Sequence, residues 1–201
     1  MKYRRFGKTN EMISVITLGG MRYKHGWSPP RDFLPKESIQ NCVETTRKAL
    51  ELGINHIETA HGYMKSEHLY GVALKELKVP RNSFKIMTKG SPMTGDETRR
   101  LVEEQLQALQ LDKIDFYGWH GINNGERLDT AVKKGGPVEV LRRLKEEGVI
   151  GHLGFSTHGP LDVILKMQPE SGGYLEAIPI SAFCLIGLAA SGHSDHPVAK
   201  N

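Results

Sequence analysis

FKIMTK, residues 84–89, is an apolar run that ends on a lysine, and its reading organises the rest of the chain. Ile86, Met87 and Thr88 have the apolar and β-branched character of a buried strand. A lysine placed directly after such a strand must be paired or must face a cleft, because burying a lone ammonium is costly. Working outward, strand signals of the same kind recur at residues 14–18, 54–59, 114–120 and 149–156. Amphipathic helix patterns lie between them. Residues 37–52 place Ile39, Val43 and Leu50 on one face and stop at Gly53, residues 66–77 carry Leu69, Val72, Ala73 and Leu77, residues 97–109 carry Val102, Leu106 and Leu109, and residues 137–147 carry Val140, Leu141 and Leu144 before Gly148.

Strand then helix, repeated with strands too apolar for a solvated face, predicts an α/β fold with a parallel sheet covered by helices. An open dinucleotide-binding sheet normally shows Gly-x-Gly-x-x-Gly after its first strand, whereas this chain has Leu18-Gly19-Gly20-Met21 and then a long loop with Pro29 and Pro30. In a (β/α)8 barrel, polar residues at the carboxyl ends of successive strands converge on one site. Glu58, Lys89, His120 and the run Ser156, Thr157, His158 stand at four such ends. The expected architecture is therefore of the (β/α)8 TIM-barrel type, with five to six βα units present.

Glu58, Lys89 and His120, with Tyr63 in the loop after Glu58, form a set suited to carbonyl chemistry. Hydride delivery to an aldehyde or ketone needs a proton donor for the developing alkoxide, and a tyrosine hydroxyl serves if a nearby ammonium lowers its pKa from about 10. Lys89 is the expected ammonium, Glu58 the carboxylate that keeps it charged and oriented, and His120 the group that hydrogen-bonds the substrate oxygen. Taken singly, each has a plainer reading: a solvated carboxylate, a half-buried loop aromatic, a rim histidine.

Five stretches together resemble the aldo-keto reductase family: MKYRRFGKTNEMISVITL at 1–18, GINHIETAHGYMKSEHLYG at 53–71, FKIMTK at 84–89, LQLDKIDFYGWH at 109–120 and LKEEGVIGHLGFSTHG at 144–159. The resemblance implies a barrel that binds a nicotinamide cofactor, usually NADPH, without a Rossmann domain. It maps the family's Asp, Tyr, Lys, His tetrad onto Glu58, Tyr63, Lys89 and His120, with glutamate in place of the family's aspartate. The wording ETA, HGINN and GFSTHGP is similar to a subgroup whose longer members end in an iron-sulfur segment; no cluster is expected here. Ser156 matches the position that binds the nicotinamide carboxamide, and Thr157 stands where asparagine is common. A loop that caps a helix starting near Pro160 explains that pair equally well. Gly20 and Met21, with Gly19 and Arg22, are expected to line the pocket mouth near cofactor or substrate.

The resemblance covers residues 1–167 and fades over 168–201, where residues 177–183 are a candidate sixth strand ahead of an irregular tail. The implied activity is NADPH-dependent reduction of an aldehyde or ketone to an alcohol. Two readings of another class stand beside it: a truncated, inactive fragment or one completed by a partner chain, and a barrel that senses nicotinamide without turnover. His193, Asp195 and His196 have no second ligand pair, and His61, His68, His152 and His158 match no metal spacing, so no metal is expected.

The chain of 201 residues, 38% apolar and 25% charged, has an ordinary globular composition. Its 27 basic and 23 acidic residues give a formal charge of +4, spread as scattered pairs without a nucleic-acid or membrane footprint. Cys42 and Cys184 form no disulfide framework, and the start is charged, so a cytoplasmic protein is expected; its expected partner, from the site residues and the resemblance, is a small-molecule carbonyl compound.

Overall fold

The structure is a computed structural model that describes residues 1–167. It opens with an antiparallel hairpin, β1 (Tyr3–Arg5) and β2 (Met12–Ser14). Seven further elements of strand and helix then alternate: β3 (Leu18–Gly19), α1 (Lys36–Glu51), β4 (His56–Glu58), α2 (Ser66–Glu76), β5 (Lys85–Gly90), α3 (Gly95–Leu109) and β6 (Ile114–Trp119). Two helices, α4 (Gly125–Val132) and α5 (Pro137–Glu146), precede β7 (Ile150–Phe155) and α6 (Leu161–Met167). Strands β3 to β7 form one parallel sheet in chain order, the arrangement a barrel requires.

Alternation along each strand gives the sheet two unlike faces. Ile57, Ile86, Tyr117, Trp119, Leu153 and Phe155 are buried in the main core, which they share with the helices. On the other face His56, Met87, Phe116 and His152 occupy neighbouring registers. The hairpin closes this inner face at the strands' amino ends. Phe6 lies edge-on to Phe116, with ring centroids 4.9 Å apart, and Ile13 joins Phe6, Met87 and Phe116 in a second apolar cluster. His152, which matches no metal spacing, stacks on Phe116 with ring centroids 5.5 Å apart.

The expected strand over 14–18 is two separate pieces. Met12–Ser14 pairs with Tyr3–Arg5, Leu18–Gly19 pairs with Ile57–Glu58, and Val15 and Ile16 between them are exposed despite their strand-forming character. Ser14 and Asn55 exchange backbone and side-chain hydrogen bonds of 2.7 and 3.1 Å, which turn the chain from hairpin into sheet. Helix α4 was not expected, although its Asn124 cap accepts from Arg127 N at 2.9 Å. The candidate strand at 177–183 and the histidines of 193–196 lie outside the described residues.

Local chemistry sets the helix ends. Thr94 and Glu97 form a capping box at the start of α3, while the turns after α1 and α5 use Gly53 and Gly148 at φ +81° and +80°. Between α2 and α3 the backbones almost touch at Gly71: a Cβ there would overlap the Ala108 carbonyl and come within 3.0 Å of Leu109 C. Only glycine permits that approach.

Candidate active site

Glu58 closes β4 and points to the inner face, its side chain 14% exposed. The turn His61–Tyr63 then brings the Tyr63 ring back over the sheet, buried to 6% exposure. Lys89, near the end of β5, is 3% exposed and makes an ion pair with Glu58 Oε1. The Tyr63 hydroxyl reaches the same oxygen at 3.5 Å, and Lys89 Nζ lies 4.9 Å from the Tyr63 ring centroid. A carboxylate, an ammonium and a phenol thus share one small space, where a low local dielectric strengthens their mutual interaction.

His120 follows β6, held by its N–H donating to Gly90 O at 2.7 Å. Its ring meets the Tyr63 ring edge-on, centroids 6.0 Å apart. Burial, then the charges of Lys89, Arg127 and His158, lower its pKa from the usual histidine range to about 4, so at neutral pH the ring is uncharged. Arg127 of α4 fixes this corner by donating to Gly121 O at 2.6 Å and His120 O at 3.1 Å. The structure therefore brings Glu58, Tyr63, Lys89 and His120 together at the carboxyl end of the sheet.

The four expected cofactor residues lie at the same end but hold other partners. Gly20 donates to Glu58 O at 2.8 Å and packs so closely that a Cβ would overlap Ser66 Oγ. Met21 O accepts from Trp27 Nε1 at 2.8 Å. Ser156 accepts from Gly121 N through both its carbonyl and its Oγ, at 3.0 and 3.1 Å. Thr157 is buried, donates to Ile122 O and accepts from Gly159 N at 2.7 Å. Its hydroxyl knits two loops rather than capping α6. At Gly19, in register with Glu58, a Cβ would meet nothing within 4 Å, so the sheet is open beside the carboxylate there. A cavity of about 420 Å³ opens beside His120, with His61, Gly62, Ser91 and Arg100 in its wall.

Sequence reasoning missed His56, which lies on the inner face of β4 two residues before Glu58. Burial and the charge of Lys89 lower its pKa to about 4, and Thr17 Oγ1 contacts its Nδ1 at 2.9 Å. It also missed Trp27, whose ring centroid is 6.4 Å from that of Tyr63. The alternation His56, Glu58 was a signal for the first. A tryptophan in a long loop carries none for the second.

A parallel sheet with polar side chains gathered at its carboxyl end is the arrangement of the α/β-barrel class. Residues 15–182 match the family model described as the aldo/keto reductase family. The chain belongs to that oxidoreductase family. It is 32% identical over 171 residues to L-galactose dehydrogenase of Arabidopsis thaliana, covering 81% of this chain and 50% of that protein. Similarity to D-arabinose 1-dehydrogenase of Saccharomyces cerevisiae is 29% over 161 residues, 76% of this chain and 45% of the relative. The chain spans about half the length of these curated relatives. Among solved structures, the holo form of an aldo-keto reductase from Bacillus halodurans superposes with a TM-score of 0.63 at 26% identity, over 83% of this chain and 54% of that one. An aldo/keto reductase from Klebsiella pneumoniae, in complex with NADP and acetate, shares the fold at a TM-score of 0.61 and 24% identity, over 81% and 52% of the two chains.

Proposed function

We propose that this chain carries the proton-transfer residues of a nicotinamide-dependent reductase that interconverts an aldehyde or ketone with its alcohol. The observation that carries the reading is the buried ammonium of Lys89 held between the Glu58 carboxylate and the Tyr63 ring. A reduced nicotinamide, NADPH by the family resemblance, supplies the hydride when bound. Tyr63 gives its phenolic proton to the oxygen that gains negative charge, and Lys89 stabilises the charge left on the phenol oxygen. Glu58 holds the lysine in place. His120, uncharged at neutral pH, donates one hydrogen bond to the carbonyl oxygen and sets its angle toward Tyr63.

Gly20, Met21, Ser156 and Thr157 border the cofactor side of this reading, with the open space at Gly19 as the place for the ring. The relatives named for L-galactose and D-arabinose favour a hydroxylated aldehyde as substrate, and Ser91, His61 and Arg100 offer polar groups in the cavity beside His120. Titration with NADPH, following Trp27 emission with circular dichroism on the same sample, should give saturable quenching. Carbonyl reduction by Tyr63→Phe should fall about 10²- to 10⁴-fold with cofactor binding retained. An unchanged rate in that variant sinks the assignment.

A further inference from the structure

The loop between β3 and α1 forms a strap against the start of α2. Lys65, fully buried, donates through Nζ to Pro30 O and through its backbone to Gly26 O at 3.1 Å. Arg31 Nη2, further along the strap, donates to Glu67 Oε2 at 2.8 Å. The Glu67 side chain is fully buried, and its second oxygen faces the opposite way: Oε1 accepts from Thr88 Oγ1 at 2.5 Å and from Gln105 Nε2 at 2.6 Å. Gln105 Nε2 also reaches Lys89 O at 3.2 Å, and Gln105 Oε1 accepts from Tyr117 OH at 2.8 Å.

A buried carboxylate is costly unless its lone pairs are met, and here each oxygen serves a different part of the site. One ties the strap that sets Trp27 beside Tyr63. The other, through Thr88 and Gln105, ties the strand end that presents Lys89. We propose that Glu67 is a positioning residue, a single carboxylate that fixes the strap flanking the tyrosine and the strand end bearing the lysine relative to each other. Burial raises the Glu67 pKa, while its hydrogen bonds to Thr88 and Gln105 and the nearby Arg31 oppose that shift. The mechanical part stands on these contacts alone, and the kinetic part rests on the carbonyl-reductase reading above.

Amide hydrogen exchange on the full chain separates the two. Glu67→Gln keeps an oxygen for Thr88 and Gln105 but no negative charge for Arg31, so exchange across residues 22–33 should rise about tenfold, the loss of one charge-assisted bond. Arg31→Leu, at a partly exposed position, should do the same and keeps the question answerable if Glu67→Gln fails to fold. Strap exchange at the wild-type rate in Arg31→Leu overturns the proposal. In turnover, Arg31→Leu should raise KM for a carbonyl substrate about tenfold with kcat within about threefold, whereas Gln105→Met should lower kcat at nearly constant KM. Parallel falls in both variants, tracking their melting temperatures, reduce Glu67 to a structural role and also overturn it. If the wild type neither binds NADPH nor reduces a carbonyl, the functional reading fails while the exchange experiment still decides whether Glu67 couples strap to strand.

Discussion

The two ends of the parallel sheet use charge in opposite ways. At the amino end, Asp115 accepts from Arg81 Nη2 at 2.7 Å and from Ile86 N at 2.9 Å, and Lys85 bonds Glu11 at 2.8 Å. These contacts join β6 to β5 and to the turn before β5, and β5 to the hairpin. At the carboxyl end, the Lys89 and Glu58 pair faces a tyrosine hydroxyl and a histidine ring, next to an open cavity. The difference separates charge that joins neighbouring elements from charge that borders an open cavity, at the end of the sheet where α/β barrels build their sites.

The sharpest break of that contrast comes from Lys89→Met. Turnover should fall about 10²- to 10³-fold, the usual cost of removing a preorganised electrostatic partner, with the circular dichroism spectrum unchanged. Retained turnover would show that the buried ammonium serves the fold alone. At the other end, Asp115→Ala leaves the Ile86 amide buried without its acceptor and Arg81 without its partner. Urea unfolding should show a loss of about 3 kcal/mol with KM and kcat of the folded fraction unaffected. A kinetic effect as large as that of Lys89→Met would erase the distinction between the two ends. The smallest expected effect sharpens it from within the carboxyl end: Thr94→Ala removes the capping-box hydroxyl of α3 and should cost about 1 kcal/mol of stability while leaving turnover intact, read from the same denaturation and rate measurements.

What the sequence made legible follows from period and position. β5, β6 and β7 were readable because each is a segment rich in apolar residues with a polar side chain at or just past its end, and Glu58, Lys89 and His120 were readable as a set because they stand at such ends, with Tyr63 in the turn after Glu58. The first strand was misplaced because Val15 and Ile16 have strand propensity but stand exposed at a corner, where the hydrogen bonds of Asn55 and Ser14 decide the path. Helix α4 was missed because eight residues give its apolar face only two turns to show a period. Glu67 lies 38 residues from Gln105 and 36 from Arg31, and no local pattern encodes contacts at such separations. Its helix position near Tyr63 was visible, but its burial was not.

The near-contact of α2 and α3 at Gly71 gives the candidate site a remote tuning point. One added methyl at this position has to displace the α3 backbone around Ala108, one turn from Gln105, and Gln105 holds the carbonyl of Lys89. A change at a residue outside the candidate site is thereby converted into a displacement of the ammonium, so the geometry of that site is inherited through the spacing of two helices on the outside of the sheet.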